Sequence, residues 1–216
     1  VLLIVVDQWR GDAISFLEHP SVKTPNLDAL CRDGTTFRNH FAQGAPCAPA
    51  RASLLTGQYM MTHRVVQNGI PLDARHNNLA FELQKLGYDP ALIGYTTTAQ
   101  DPRTLSENNT SFRVAGGVMP GWTPIARFDP AKRPYFDWLR QRGIEIPEPP
   151  EDIWLPADTC STAPSRISTE NSDTSYSTKH ALAYLRGIQD IPWFLHLGYY
   201  RPHPPFIASA PYNKAH

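Results

Sequence analysis

Val1-Leu2-Leu3-Ile4-Val5-Val6, followed by Asp7, opens the chain with six apolar residues in a row, four of them β-branched. An unbroken run of this kind predicts a strand buried on both faces of a parallel sheet, because a half-exposed strand would alternate with polar residues. Asp7 then stands at the strand's C-terminal end. In open α/β sheets that edge is where loops and helix N-termini converge on ligands. The run is far shorter than the ~20 residues of a membrane span, and no cationic segment precedes it as in a secretory leader. The expectation is a cytoplasmic protein with no membrane partner.

Outward from this strand, helices and strands alternate. Thr24 to Gly34 predicts a helix, with Thr24 as N-cap, Pro25 at the first helical position, Asp28 early and Gly34 as terminator. A second helix is expected from Asn78 to Gly87, and Pro90 to Tyr95 reads as the next strand. Tyr135 to Arg142 and Ser175 to Arg186 read as helices ending at glycines, and Trp193 to Gly198 as a third strand. Strands separated by helical crossovers predict a parallel α/β sheet with helices on both faces. Proline, 21 of 216 residues, is about twice its usual share. Much of it lies in a segment of about 101–170, which is expected to be a loop-rich insertion. The chain runs out soon after His203, so residues 1–216 are expected to be the N-terminal portion of a single larger catalytic domain.

Composition narrows the function. Twenty basic residues balance 20 acidic ones, so there is no net positive field of the kind that drives nucleic-acid binding by counterion release. Three cysteines, Cys31, Cys47 and Cys160, are too few and too scattered for a disulfide framework or a zinc knuckle. Any special cysteine must act alone.

The densest chemical signal surrounds one of them: Cys47-Ala48-Pro49-Ala50-Arg51-Ala52-Ser53-Leu54-Leu55-Thr56-Gly57. A bare C-x-P-x-R arises by chance in on the order of one chain in a hundred of this composition, and the Leu-Thr-Gly extension makes coincidence rarer still. A helix is expected over Ala50 to Leu55. Its N-terminal amides and positive dipole end, with Arg51 as a fixed cation, would favour an anion beside Cys47.

This element resembles the signature of type I sulfatases in the alkaline phosphatase superfamily, whose cysteine is oxidised to formylglycine. The resemblance extends to Val1–Gln8 as the first metal-bearing strand. It continues through Thr24-Pro25-Asn26-Leu27-Asp28 with Gly34 and Phe37 as the first helix and following strand, and Pro202-His203-Pro204-Pro205 as the active-site histidine segment. It implies an alkaline phosphatase-like fold and a metal-dependent hydrolase. A hydrated aldehyde carries two hydroxyls on one carbon. One can attack sulfur or phosphorus, and loss of a proton from the other expels the product. A plain thiol cannot do this.

The resemblance implies Cys47, Arg51 and His203 as catalytic residues, with the metal held by Asp7, Gln8 and Cys47. Gln8 stands where sulfatases usually carry a second aspartate, so the site has one negative charge fewer. Oxygen ligands suit calcium, manganese or magnesium. His203, fenced by prolines, is excluded from helix and from interior strand. Asn68 lies where relatives place a polar substrate contact, although an Asn before Gly69 also reads as a plain turn. His63 reads as structural.

After Gly94-Tyr95 most sulfatases continue into Gly-Lys-Trp-His, whose Lys and His clamp the sulfate. This chain has Thr96-Thr97-Thr98-Ala99 there. With Asp7-Gln8-Trp9-Arg10 and Gly198 to Phe206, it resembles the phosphonate monoester hydrolase and phosphodiesterase branch, in which the residues matching Tyr95 and Thr97 line the substrate pocket. Phosphonate monoesters, phosphate diesters and sulfate monoesters carry one negative charge, whereas a phosphate monoester approaches two. Losing a lysine therefore argues against the last. The expected substrate is a small-molecule phosphonate monoester or phosphate diester, with promiscuity toward sulfate esters. A formylglycine-generating system and homo-oligomerisation are implied by the same resemblance. An aryl or choline-type sulfatase and a non-catalytic anion-binding protein on the same fold remain as alternatives.

Overall fold

The computed structural model describes residues 1–99, 101–104, 117–127, 133–156, 162–188 and 191–215. Its centre is a four-stranded sheet of β1 (Leu2–Val6), β2 (Asp89–Gly94), β3 (Thr123–Arg127) and β4 (Trp193–Tyr199), in the order β1-β4-β2-β3. Every pairing is parallel, with Leu3 and Leu92 flanking His196 in register. The helices are α1 (Pro25–Asp33), α2 (Cys47–Thr56), α3 (Met60–His63), α4 (Leu79–Lys85), α5 (Arg133–Gln141) and α6 (Asp173–Gly187). None of them is long and apolar enough to cross a membrane.

Strand alternation sorts the core into two layers, one on each side of the sheet. Leu92 and Phe194 point to the face covered by α2 and α4, where they join Ala48, Ala52, Leu55 and Leu83. Ala91, Ile93, Leu195 and Leu197 point to the other face and meet an aromatic cluster that includes Tyr135 and Phe136 of α5 and Tyr176 of α6. The parallel sheet with helices on both faces is therefore present. Leu195 is fully buried at the centre of β4, and Leu195→Ala is expected to cost ~2–5 kcal/mol, read from urea unfolding. A loss under ~1 kcal/mol would mean that this layer is not the core.

Three local readings are corrected. First, among the described residues of 1–216 β1 pairs on one side only, with β4, and Leu2 and Ile4 are 41% and 49% exposed on the α6 side. The apolar run does not by itself supply neighbours on both faces. Second, the residues after α1 form no strand, and Phe37 is exposed. Third, Thr24 sits at the N-cap of α1 without capping it. Its hydroxyl instead donates to Asp28 Oδ1 at 2.9 Å and accepts from Ser15 N at 2.9 Å, tying α1 to the preceding turn. Asn78, by contrast, caps α4 with its side chain, accepting from Ala80 N and Phe81 N.

The segment 101–170 contributes β3 and α5, and the strand was not expected from its sequence. Pro124 has no N–H to give a ladder, which an edge position tolerates, and the register slips between Leu92 and Ile93 opposite it.

Candidate active site

All the strands of a parallel sheet end on the same side, so the residues that follow β1, β2 and β4 are gathered at one edge. Asp7 follows β1 and donates its own N–H to Tyr199 O of β4 at 3.0 Å. Gly94 ends β2 at φ +103°, where a Cβ would lie 2.5 Å from Gly198 O. Only glycine lets β2 and β4 approach so closely at this point. The next residue, Tyr95, has its ring 6.2 Å from that of Tyr200 in the loop that follows β4.

Helix α2 brings the signature to the same edge. It begins at Cys47, three residues earlier than expected, because Pro49 falls in the first turn, where its missing N–H has no intrahelical partner to lose. The early start changes the expected anion site. Ala48 N donates to Asn68 Oδ1 at 2.9 Å, Pro49 has no N–H, and Ala50 N donates to Pro46 O at 3.2 Å. Among the first-turn amides only that of Cys47 is left for an anion, so the positive charge at this point comes from Arg51.

The buried carboxylate of Asp7 is the hub. Tyr95 donates its hydroxyl to Oδ2, Cys47 Sγ lies 3.4 Å from Oδ1, and Arg51 Nη2 lies 3.7 Å from Oδ2. Arg51 is itself buried. It donates from Nη1 to Tyr95 O at 3.0 Å and lies over the Tyr95 ring, 4.5 Å from its centroid. Its Nη2 has no hydrogen-bond partner among the described residues. Burial holds the Tyr95 phenol well above its usual range, so it acts as a donor. The Cys47 thiol is pushed up by burial and then by the Asp7 carboxylate, with Arg51 opposing. An unmodified Cys47 is thus a neutral thiol and a poor nucleophile.

His203 lies in the turn after β4, its ring 4.6 Å from that of Tyr200. One ligand atom each of Asp7, Cys47 and His203 lie within 4.8 Å of one another. Donors that share one cation at ~2.3–2.6 Å must stand no farther apart than about 5 Å, so Asp7 and Cys47 are close enough to hold one metal ion between them, with His203 beside the pair. Gln8, at φ +56°, turns the chain out of β1. Asp7, Gln8, Cys47 and Arg51 line one cavity of about 610 Å³, together with His40, Phe41 and Leu54. The 40–43 loop carries no chemical motif, and nothing in its sequence marked it.

Behind Tyr95, Thr96 Oγ bonds Thr98 O at 2.9 Å and Gly117 O at 3.0 Å. Thr97 is buried at φ +68°, a left-handed conformation costly for a β-branched residue. Its hydroxyl has no partner among the described residues. His63 accepts from Val65 N at its Nδ1 (3.1 Å), so its Nε2 carries the proton and donates to Ser53 Oγ of α2 at 2.9 Å. It is a brace rather than a base, in keeping with the structural reading.

The whole chain, residues 1–216, matches the sulfatase family. It belongs to the sulfatase family. Within that family it is 56% identical over 223 residues to the multifunctional alkaline phosphatase superfamily protein PehA of Trinickia caryophylli, covering 99% of this chain and 43% of PehA. The phosphonate monoester hydrolase of Agrobacterium radiobacter superposes with a TM-score of 0.92 at 44% identity, over 99% of this chain and 43% of that one. The phosphonate monoester hydrolase SpPMH from Silicibacter pomeroyi gives a TM-score of 0.91 at 38% identity, again over 99% and 43%. This sulfatase-family chain thus has an alkaline phosphatase-like fold and spans less than half the length of these relatives.

Proposed function

We propose that the protein is a metal-dependent hydrolase that uses a formylglycine made from Cys47 to cleave phosphonate monoesters and phosphate diesters. The observation that carries this reading is the convergence of Cys47, Asp7, Arg51 and His203 at one sheet edge, with Cys47 Sγ 3.4 Å from Asp7 Oδ1. The similarity to two phosphonate monoester hydrolases supports the substrate class.

Asp7, Gln8 and the Cys47 side chain would hold a divalent cation, calcium, manganese or magnesium, which would polarise the transferred centre and lower the pKa of the nucleophile. Converted to an aldehyde and hydrated, the Cys47 side chain would offer a hydroxyl in place of the neutral thiol. The residues of the chain do the rest. Tyr95 and Arg51 fix the Asp7 carboxylate from one side. Arg51 Nη2, ion-paired with Asp7 at 3.7 Å but without a hydrogen bond among the described residues, would turn to a substrate oxygen as a charge-assisted donor. Asn68 secures the first turn of α2, and its amide nitrogen offers a further polar contact. His203 donates a proton to the departing alcohol oxygen.

Specificity is assigned to the wall after β2. Hydroxyls replace the two cationic groups that clamp sulfate in most sulfatases, which suits a monoanion with a second substituent on phosphorus. Thr97, held at φ +68° in the segment that follows the end of β2 at Gly94, is the member of that wall assigned to substrate by the resemblance to the phosphonate monoester hydrolase branch. Thr97→Ala is expected to lower kcat/KM on an aryl phosphonate monoester by ~10-fold, the order of one lost charge-assisted hydrogen bond. The ratio to the matching sulfate ester should shift in the same direction. An unchanged ratio would remove Thr97 from the substrate pocket.

A further inference from the structure

We infer that Arg201 and Asp173 are positioning residues that set the His203 imidazole for proton donation to the leaving group, an inference that rests on the role of His203 proposed above. The segment that holds His203 cannot organise itself. Pro202, Pro204 and Pro205 have no N–H, so the one main-chain donor among residues 202–205 is that of His203, which reaches back to Tyr200 O at 3.0 Å. The carbonyls of this turn must be met by side chains.

Arg201 meets two of them. Its Nη1 donates to His203 O at 3.0 Å and to Pro205 O at 2.7 Å, while its Nε donates to Asp173 Oδ2 at 3.1 Å. Asp173 is 3% exposed and is the first residue of α6, where the helix dipole favours a carboxylate. Helix α6 packs on β4 and β2. A continuous path therefore runs from the sheet through α6 and Asp173 to the guanidinium, and from there to the backbone of His203.

The ring is fixed from its other side. Pro204 O, which can only accept, lies 3.0 Å from His203 Nδ1, so Nδ1 carries a hydrogen and donates. That leaves Nε2 as the nitrogen free to serve the substrate. Tyr200 lies against the ring and donates its hydroxyl to the same Pro204 carbonyl at 3.3 Å. A planar guanidinium can bridge two carbonyls and a carboxylate at once, which a lysine ammonium on a flexible stem cannot do in a fixed geometry.

The test compares two aryl phosphonate monoesters that share the transferred group, one leaving as 4-nitrophenol and one as phenol, on the metal-loaded enzyme. A proton donor matters most for the poorer leaving group. His203→Ala is expected to lose ~100-fold in kcat/KM on the phenyl ester and far less on the nitrophenyl ester. Arg201→Gln should lose ~10-fold on the phenyl ester with the same bias, and should cost nothing further when added to His203→Ala. If Arg201→Gln does not accumulate as folded protein, Arg201→Lys reads the same coupling, since it keeps the charge against Asp173 but not the bridge. Equal losses on both esters in the Arg201 variant, beside a His203→Ala that discriminates between them, would overturn the inference. A His203→Ala that does not discriminate would overturn the role of His203 itself, and the inference with it.

Discussion

Replacing Cys47 by alanine is expected to abolish turnover, with kcat/KM falling on the order of 10⁴-fold or more, as when a covalent nucleophile is removed elsewhere. The substitution should leave the fold intact. Cys47 is only partly buried at the first position of α2, and its side chain contributes a single 3.4 Å contact to Asp7. The same reasoning predicts that unmodified protein is inactive. Burial and the Asp7 carboxylate both push the Cys47 thiol up, so at neutral pH it stays protonated and does not attack. Specific activity should therefore track the fraction of Cys47 converted to formylglycine, measured by mass spectrometry of the Cys47 peptide. Full activity in wholly unconverted protein would contradict this.

Asp7→Asn is expected to have the next largest effect. The substitution keeps the shape and can still accept from Tyr95, but it removes the negative charge that a divalent cation requires and that balances the buried Arg51. Removing one partner of a buried ion pair leaves the other charge uncompensated, at a cost of ~3–5 kcal/mol. With Arg51 and Asp7 3.7 Å apart, the lower end is expected. Loss of a metal ligand should exceed the 10–100-fold typical of residues one layer further out. Metal content of the purified variant should fall well below that of the parent, and kcat/KM by more than ~100-fold. Parental metal content together with parental rates would remove Asp7 from the metal site.

Much of the fold was legible because its signals are local. Glycines at 34, 87 and 143 and the apolar runs at 90–95 and 193–198 marked the ends of elements well. What failed depended on neighbours. Val1 to Val6 reads as doubly buried, yet among the described residues of 1–216 β1 pairs only with β4, and Leu2 and Ile4 are exposed there. Thr123-Pro124-Ile125-Ala126-Arg127 reads as loop because of its proline, yet an edge strand accepts one. Helix α2 was expected from Ala50 and starts at Cys47, since a first-turn proline such as Pro49 does not break a helix.

The site divides in the same way. The Cys47–Gly57 signature and the Pro202–Pro205 segment are contiguous in sequence, and each stood out on its own. The contacts that join them could not be read in advance. The Tyr95 hydroxyl on Asp7, the Asn68 cap on Ala48 and the Arg201 bridge to His203 each link residues through tertiary packing or a side-chain direction that no spacing encodes.

The most direct test of the central claim is kcat/KM of the metal-loaded enzyme on an aryl phosphonate monoester, a phosphate diester and a sulfate monoester that share one leaving group. The shared leaving group isolates recognition of the transferred centre. The account predicts that both phosphorus monoanions outpace the sulfate ester. A sulfate ester turned over faster than either would contradict it, and would make the wall of Thr96, Thr97 and Thr98 part of a rebuilt sulfatase pocket.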